Sequence, residues 1–112
     1  MPNSLYIDLL VDHTAGDIET SAQQIRSGAN GLFLSAVLDG ATVALQIRPQ
    51  GGEYWYEKSE GAFTNVGVGE YQAWENVFLA EGQVRAVVTG ATVNTVIHEF
   101  LLRPTVETEL EV

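Results

Sequence analysis

The amino-acid sequence predicts an all-β protein: a single antiparallel β-sandwich or barrel-like domain, jelly-roll or immunoglobulin-like, with about seven to nine strands. Three observations lead there. Apolar residues recur at every second position in several segments, β-branched residues are abundant, and Gly-bearing turns separate segments of similar length with no long helical pattern between them. The 112 residues make one ordinary domain, and no shift in composition marks a second. The expected sandwich covers residues 1–104, with 105–112 as an acidic C-terminal tail.

The first element is "LYIDLLVD", which puts Leu5, Ile7, Leu9 and Val11 on one face and Tyr6, Asp8 and Asp12 on the other. The one helix candidate follows in "TSAQQIRSG", where Thr20 or Ser21 is a possible cap and Gly28 a possible close. In "LFLSAVLD" the inward set is Leu32, Leu34, Ala36 and Leu38; in "TVALQIR" it is Val43, Leu45 and Ile47. Asp39-Gly40 between them is a hairpin signal, because Gly accepts the positive φ of a tight primed turn. "EYWYE" alternates between the turns "PQGG" and "SEGAF". After the Gly-rich "VGVGE" come "YQAWENVFLA", a strand or a bulged strand, then "QVRAVV" and "TVNTVIHEFLL", the last favoured as strand by its Thr and Val.

The tetrapeptide Gly-Ala-Thr-Val occurs at Gly40 and again at Gly90. The segments after the two copies diverge at once, so the echo is expected to mark two strands entered through similar turns rather than a duplicated unit.

Charge narrows the partners. Fifteen Asp and Glu against five Lys and Arg give a formal net charge of -10, a field that repels nucleic-acid phosphates and anionic membranes. Neither nucleic acid nor membrane is an expected partner, and no apolar run approaches the roughly 18 residues of a membrane span. The start "MPNSLYIDLL" lacks the basic and apolar regions of a signal peptide, so a soluble protein without an export signal is expected.

The ingredients of catalysis are sparse. Without cysteine there is no disulfide, thiolate metal site or cysteine nucleophile. His13 and His98 have no ligand spacing around them, and Asp8, Asp12 and Asp17 do not form a calcium loop. No Gly-x-Ser-x-Gly appears, and "GVGEY" has the glycines of a phosphate loop without its Lys. No enzyme, metal or cofactor is expected. The aromatic residues say more: Tyr54 and Tyr56 share one strand face, and Trp55 points to the other. An exposed Tyr pair makes a platform for a sugar or a protein, whereas Trp55 and Trp74 are candidate core anchors. Tyr54, Trp55, Tyr56 and Trp74 are the candidate partner-binding residues.

The run "LDGATVALQIRPQGGEYWYEKSEGAFTNVGVGEYQAWENVFLAEGQVRAVVTGAT" resembles small β-sandwich virion proteins of tailed bacteriophages, of the head decoration (cement) or head-fibre type. The shared layout is a strand after Gly-Ala-Thr, a Gly-Gly turn into a Trp-bearing strand, and a late Gly turn before an Arg-bearing strand. It covers the middle of the chain and leaves out the first strand and the tail "TVETELEV". The resemblance implies a non-enzymatic role on the capsid surface, bound to the major capsid protein or another virion protein. It also implies a homo-oligomer, often a trimer, and synthesis in the host cytoplasm. A carbohydrate-binding module using the surface aromatics and a tail or neck connector are the alternatives.

The tail alternates too. Val106, Thr108, Leu110 and Val112 fall opposite Glu107, Glu109 and Glu111, so Val106, Leu110 and Val112 are candidate residues of an arm that adds as an edge strand to its own sheet or to a neighbouring subunit, with a solvated acidic end as the alternative.

Overall fold

The computed structural model describes residues 6–105; the candidate arm residues Val106, Leu110 and Val112 lie outside them. Within the described residues are nine strands: β1 (Ile7–Thr14), β2 (Ile18–Glu19), β3 (Gln23–Ile25), β4 (Gly28–Val37), β5 (Thr42–Pro49), β6 (Tyr56–Thr64), β7 (Tyr71–Leu79), β8 (Gly82–Thr89) and β9 (Val96–Pro104). They form two antiparallel sheets. The first has the order β1-β9-β4-β7, and the second β2-β8-β5-β6 with β3 also on β8. The molecule is 21 Å thick along its shortest axis. That is the depth of two sheets about 10 Å apart with their outer side chains.

Alternation builds the core. In β8, Val84, Ala86 and Val88 are buried while Gln83, Arg85 and Val87 turn away, and β4 buries Leu32, Leu34 and Ala36 in the same way. The inner faces interlock, and Phe63 of β6 meets Phe100 of β9 edge to face at 6.1 Å between ring centres.

β2 and β3 are one interrupted strand. Thr20 between them donates its N–H to the Ala86 carbonyl, and its hydroxyl accepts the Ala86 N–H, both at 2.9 Å. Counted so, eight strands lie in two sheets of four whose order is that of a jelly roll, two Greek keys wrapped together. The immunoglobulin-like partition of strands is not the one found.

The helix candidate over residues 20–28 is overturned. Gln23–Ile25 pairs with Val84, Gln83 and Gly82, and Ile25 is buried. The open edge of β8 offers backbone partners to this segment, and Ile18 and Ile25 supply too few apolar positions for a helical stripe. In β1 a bulge between Asp8 and Leu10 shifts the alternation, so Leu10 packs on the core and Val11 is exposed rather than inward.

Asp39-Gly40 forms the tight turn its residues predict, with φ of 48° and 88° and an Ala41 N–H to Leu38 carbonyl bond of 2.9 Å. It does not join a hairpin: β4 belongs to the first sheet and β5 to the second. "SEGAF" is likewise no turn but lies within β6. Ala44 pairs with Ala62 and Gln46 with Glu57, so the extra residues of β6 bulge there while Gly61 packs close to Leu32 and Leu45.

The two Gly-Ala-Thr-Val copies meet at one end of the sandwich. The first enters β5. The second makes a turn in which the Thr95 N–H reaches the Thr92 carbonyl at 3.1 Å, and β9 starts only at Val96, later than "TVNTVIHEFLL" implies. Asp39 Oδ2 accepts from Thr92 Oγ1 at 2.5 Å and from Asn94 Nδ2 at 3.2 Å, while buried Thr95 Oγ1 donates to the Leu38 carbonyl at 3.0 Å. Ala15 and Ala91 tie the β1–β2 turn in as well, through Thr95 O and Asp17 Oδ1, both at 2.9 Å.

The Thr92 bond, with that of Asn94, holds the Asp39 carboxyl below the usual carboxylate range. A depressed folded pKa adds stability that is present above the unfolded pKa and lost as pH falls through the folded one. Asp39→Asn keeps a residue type that tolerates the left-handed backbone, whereas Asp39→Ala does not. The expected result in calorimetry at neutral pH is a thermal midpoint lowered by a few degrees for Asp39→Ala and by less for Asp39→Asn. The gap between wild type and Asp39→Asn is expected to narrow as pH drops into the acid range.

Candidate functional site

Residues directly opposite one another in a sheet point to the same side, so the register maps the outer face of the first sheet. One row runs Val11, Glu99, Ser35, Gln72; the next runs Asp8, Leu101, Phe33, Trp74. Arg103, Gly31 and Asn76 form a third row, and Ala29 stands opposite Phe78 in a fourth. At the β7 side this face is aromatic and open: Trp74 is 59 % and Phe78 66 % exposed.

The Phe33 and Trp74 rings lie 15° from parallel with centres 5.9 Å apart. Phe33 lies down along its own strand over Gly31, where any Cβ would stand 2.9 Å from the ring. Glycine at 31 therefore lets Phe33 lie flat, and Phe33 shields a strand backbone that has no side chain of its own. Trp74 extends the same plane. Beside the pair is a shallow groove of about 400 Å³ bounded by Ser35, Gln72 and Glu99.

Trp74 is thus a surface residue and not the core anchor expected of it. Trp55 is not one either. It precedes β6, half-buried on the outer face of the second sheet, with the guanidinium carbons of Arg85 and Arg48 at 4.2 and 5.5 Å from its ring centre. Beneath it two cross-strand pairs form a polar ladder. Arg85 Nε donates to Gln46 Oε1 at 2.8 Å, Arg48 donates to Gln83, and Glu19 lies 3.5 Å from Arg85. Aliphatic side chains with Phe63 and Phe100 make up the core, and both tryptophans fall outside it.

Tyr54 and Tyr56 are 69 % and 57 % exposed. They do not share a strand face, because β6 begins at Tyr56. Tyr56 instead lines a groove of about 330 Å³ with Ile47, Pro49, Lys58 and Phe78, between the edges of the two sheets. The fold therefore brings Tyr56 near Phe78 and Trp74 near Phe33, and leaves Trp55 on the opposite face. Phe33 and Phe78 were missed. Parity carries the signal for both: Phe33 interrupts the inward run Leu32, Leu34, Ala36, and Phe78 shares the parity of Trp74.

The histidines are engaged elsewhere. His13 Nε2 lies 2.8 Å from the Gly16 carbonyl, and His98 Nε2 lies 3.0 Å from Glu70 Oε1. Among the described residues no group of three His, Cys, Asp or Glu could hold a metal ion, and no helix is long and apolar enough to cross a membrane. What the surface offers is contact: a flat aromatic platform with amide, hydroxyl and carboxylate groups beside it.

The chain matches no known family model, no curated protein and no solved structure.

The two tryptophans are expected to differ in what they do for stability. Trp55→Ala removes a ring packed on two guanidinium groups and is expected to cost about 1–2 kcal/mol, against about 0.5–1 kcal/mol for Trp74→Ala, which loses one aromatic pair. Urea unfolding followed by circular dichroism measures both.

Proposed function

We propose that the protein is a non-enzymatic structural component of a tailed-bacteriophage virion, a capsid decoration (cement) protein that binds the outer capsid surface and stabilises the head. The observation that carries this reading is the open aromatic face of Phe33, Trp74 and Phe78 on a rigid sandwich of formal net charge -10. An exposed apolar patch rimmed by polar groups marks a contact surface. Two further points support it. The middle of the chain resembles virion proteins of this kind, and jelly rolls are common among viral capsid domains, an analogy at the level of fold. The partner is the major capsid protein or another virion protein, and the chain acts as a homo-oligomer, with a trimer the form the resemblance implies.

A second reading is a carbohydrate-binding module. The Trp74 platform with Gln72 and Glu99 beside it favours this, since a sugar ring stacks on an aromatic face and bonds to flanking polar groups. Jelly rolls also occur among lectins.

Phage particles produced without the protein test the first reading. They are expected to assemble, to release DNA at lower temperature or on osmotic shock, and to regain resistance when the purified protein is added. Unchanged particle stability, together with absence of the protein from purified virions, would defeat it. Recovery with tails rather than heads would make the chain a tail or neck connector, and retention on a polysaccharide column abolished by Trp74→Ala would favour the sugar module.

A further inference from the structure

We propose that the outer face of the first sheet, centred on Phe33 and Trp74 and continued by Phe78, is the docking surface of the protein, and that its partner is a protein surface with an apolar centre and a basic rim. The proposal rests on the virion reading and assigns the face and the chemistry of the contact.

The two outer faces differ in how they are finished. On the second sheet, Trp55 lies over Arg48 and Arg85, and Gln46, Gln83 and Glu19 engage those guanidinium groups. That face is closed by its own polar ladder. On the first sheet the aromatic side chains of β4 and β7 have no such cover, and β7 is an edge strand, so a partner can approach Trp74 and Phe78 from the face and from the rim. Val11 adds an apolar side chain at the opposite edge.

Charge selects the occupant. The one cation in the mapped rows of this face, Arg103, is held by Asp8 at 2.9 Å and lies 5.1 Å from the Tyr6 ring centre. Glu99 stands in the row next to Phe33 and forms no ion pair among the described residues, whereas Glu75, opposite buried Leu32, belongs to the other side of β7. Glu70 borders the same side, paired with His98. Arg85 is committed to Glu19 on the second sheet, and Lys58, which lines the groove beside Phe78, lies 3.5 Å from Glu60. The patch is therefore apolar at the centre and acidic on the side of Glu99 and Glu70, within a chain of formal charge -10. A basic rim on the partner satisfies that field. A second copy brings the same carboxylates face to face, because a two-fold contact repeats each residue on both sides. Phosphate-rich surfaces are repelled. A neutral glycan uses the platform but leaves the carboxylates without a counter-charge.

The test uses heads of the encoding phage assembled without the protein, with cosedimentation of purified wild-type and variant chains at several salt concentrations. Wild type is expected to bind, and more weakly as salt rises. Trp74→Ala and Phe78→Ser are expected to reduce bound chain at least tenfold, with Trp74→Phe retaining most of it. Glu99→Gln is expected to weaken binding at low salt and to flatten its salt dependence. Val66→Ser, in an exposed loop apart from the face, serves as the reference, and circular dichroism and thermal midpoints check that each variant is folded. If wild type binds heads and the folded face variants bind equally well, the docking surface is wrong while the virion reading stands. If wild type binds no heads, the virion reading itself fails. If head binding survives in Trp74→Ala but that variant loses retention on cellulose, chitin or xylan, the platform is a sugar site and the proposal is overturned.

Discussion

Every strand in this molecule depends on burying one face against the opposite sheet. The chain passes from one sheet to the other at every connection except β2–β3 and β5–β6, so sequence neighbours seldom pair. What holds the sheets in place is the layer between them, where Leu32, Leu45, Val84, Phe63 and Phe100 are all buried. At about 25 cal/mol per Å² of apolar surface removed from water, that layer is the largest favourable contribution to folding. The ladders fix register within each sheet, and the shared core decides that there are two sheets facing each other.

The crossovers carry a second constraint, since each exposes backbone groups where a ladder stops. One end of the sandwich meets it by packing turns against one another. The Leu38 carbonyl takes both the Ala41 N–H and the Thr95 hydroxyl, and Asp39 gathers Thr92 and Asn94. The Asp39 and Gly40 N–H groups reach the carbonyls of Gly67 and Asn65. Four connections distant in sequence are thereby joined by short polar contacts. The repeated tetrapeptide belongs to this arrangement, since Gly90 lies against Gly40 and Ala41. Two similar turns became neighbours in space without the strands after them being alike.

Alternation made the all-β class and most of the core legible: Val43, Leu45, Val84, Ala86 and Val88 are inward as their spacing requires. Turn chemistry was legible at Asp39-Gly40, but a turn's backbone does not say whether its flanking strands pair with each other or with others. Bulges were not legible. The shifts in β1 and β6 depend on partners remote in the chain, and they moved Val11 outward and absorbed "SEGAF" into a strand. The tryptophans misled for a different reason. Size and apolar character argue for the core, whereas Trp55 had guanidinium groups to cover and Trp74 stands on the outward parity of its strand. The open face was therefore visible only as parity, in Phe33, Trp74 and Phe78, and needed the register to become one surface.

β9 lies between β1 and β4, although β1 is the first described strand and β9 the last. On a ribosome, β1 emerges long before the strand that will bond to it, and β4 waits for one of its two neighbours over the same interval. The first sheet therefore forms only after synthesis has passed β9, and until then apolar side chains such as Ile7, Leu9 and Leu34 lack the finished layer that shelters them. Folding of this domain is a late, all-at-once event dominated by distant pairings, which makes it slow for its size and ties its yield to how well the nascent chain is kept from its neighbours.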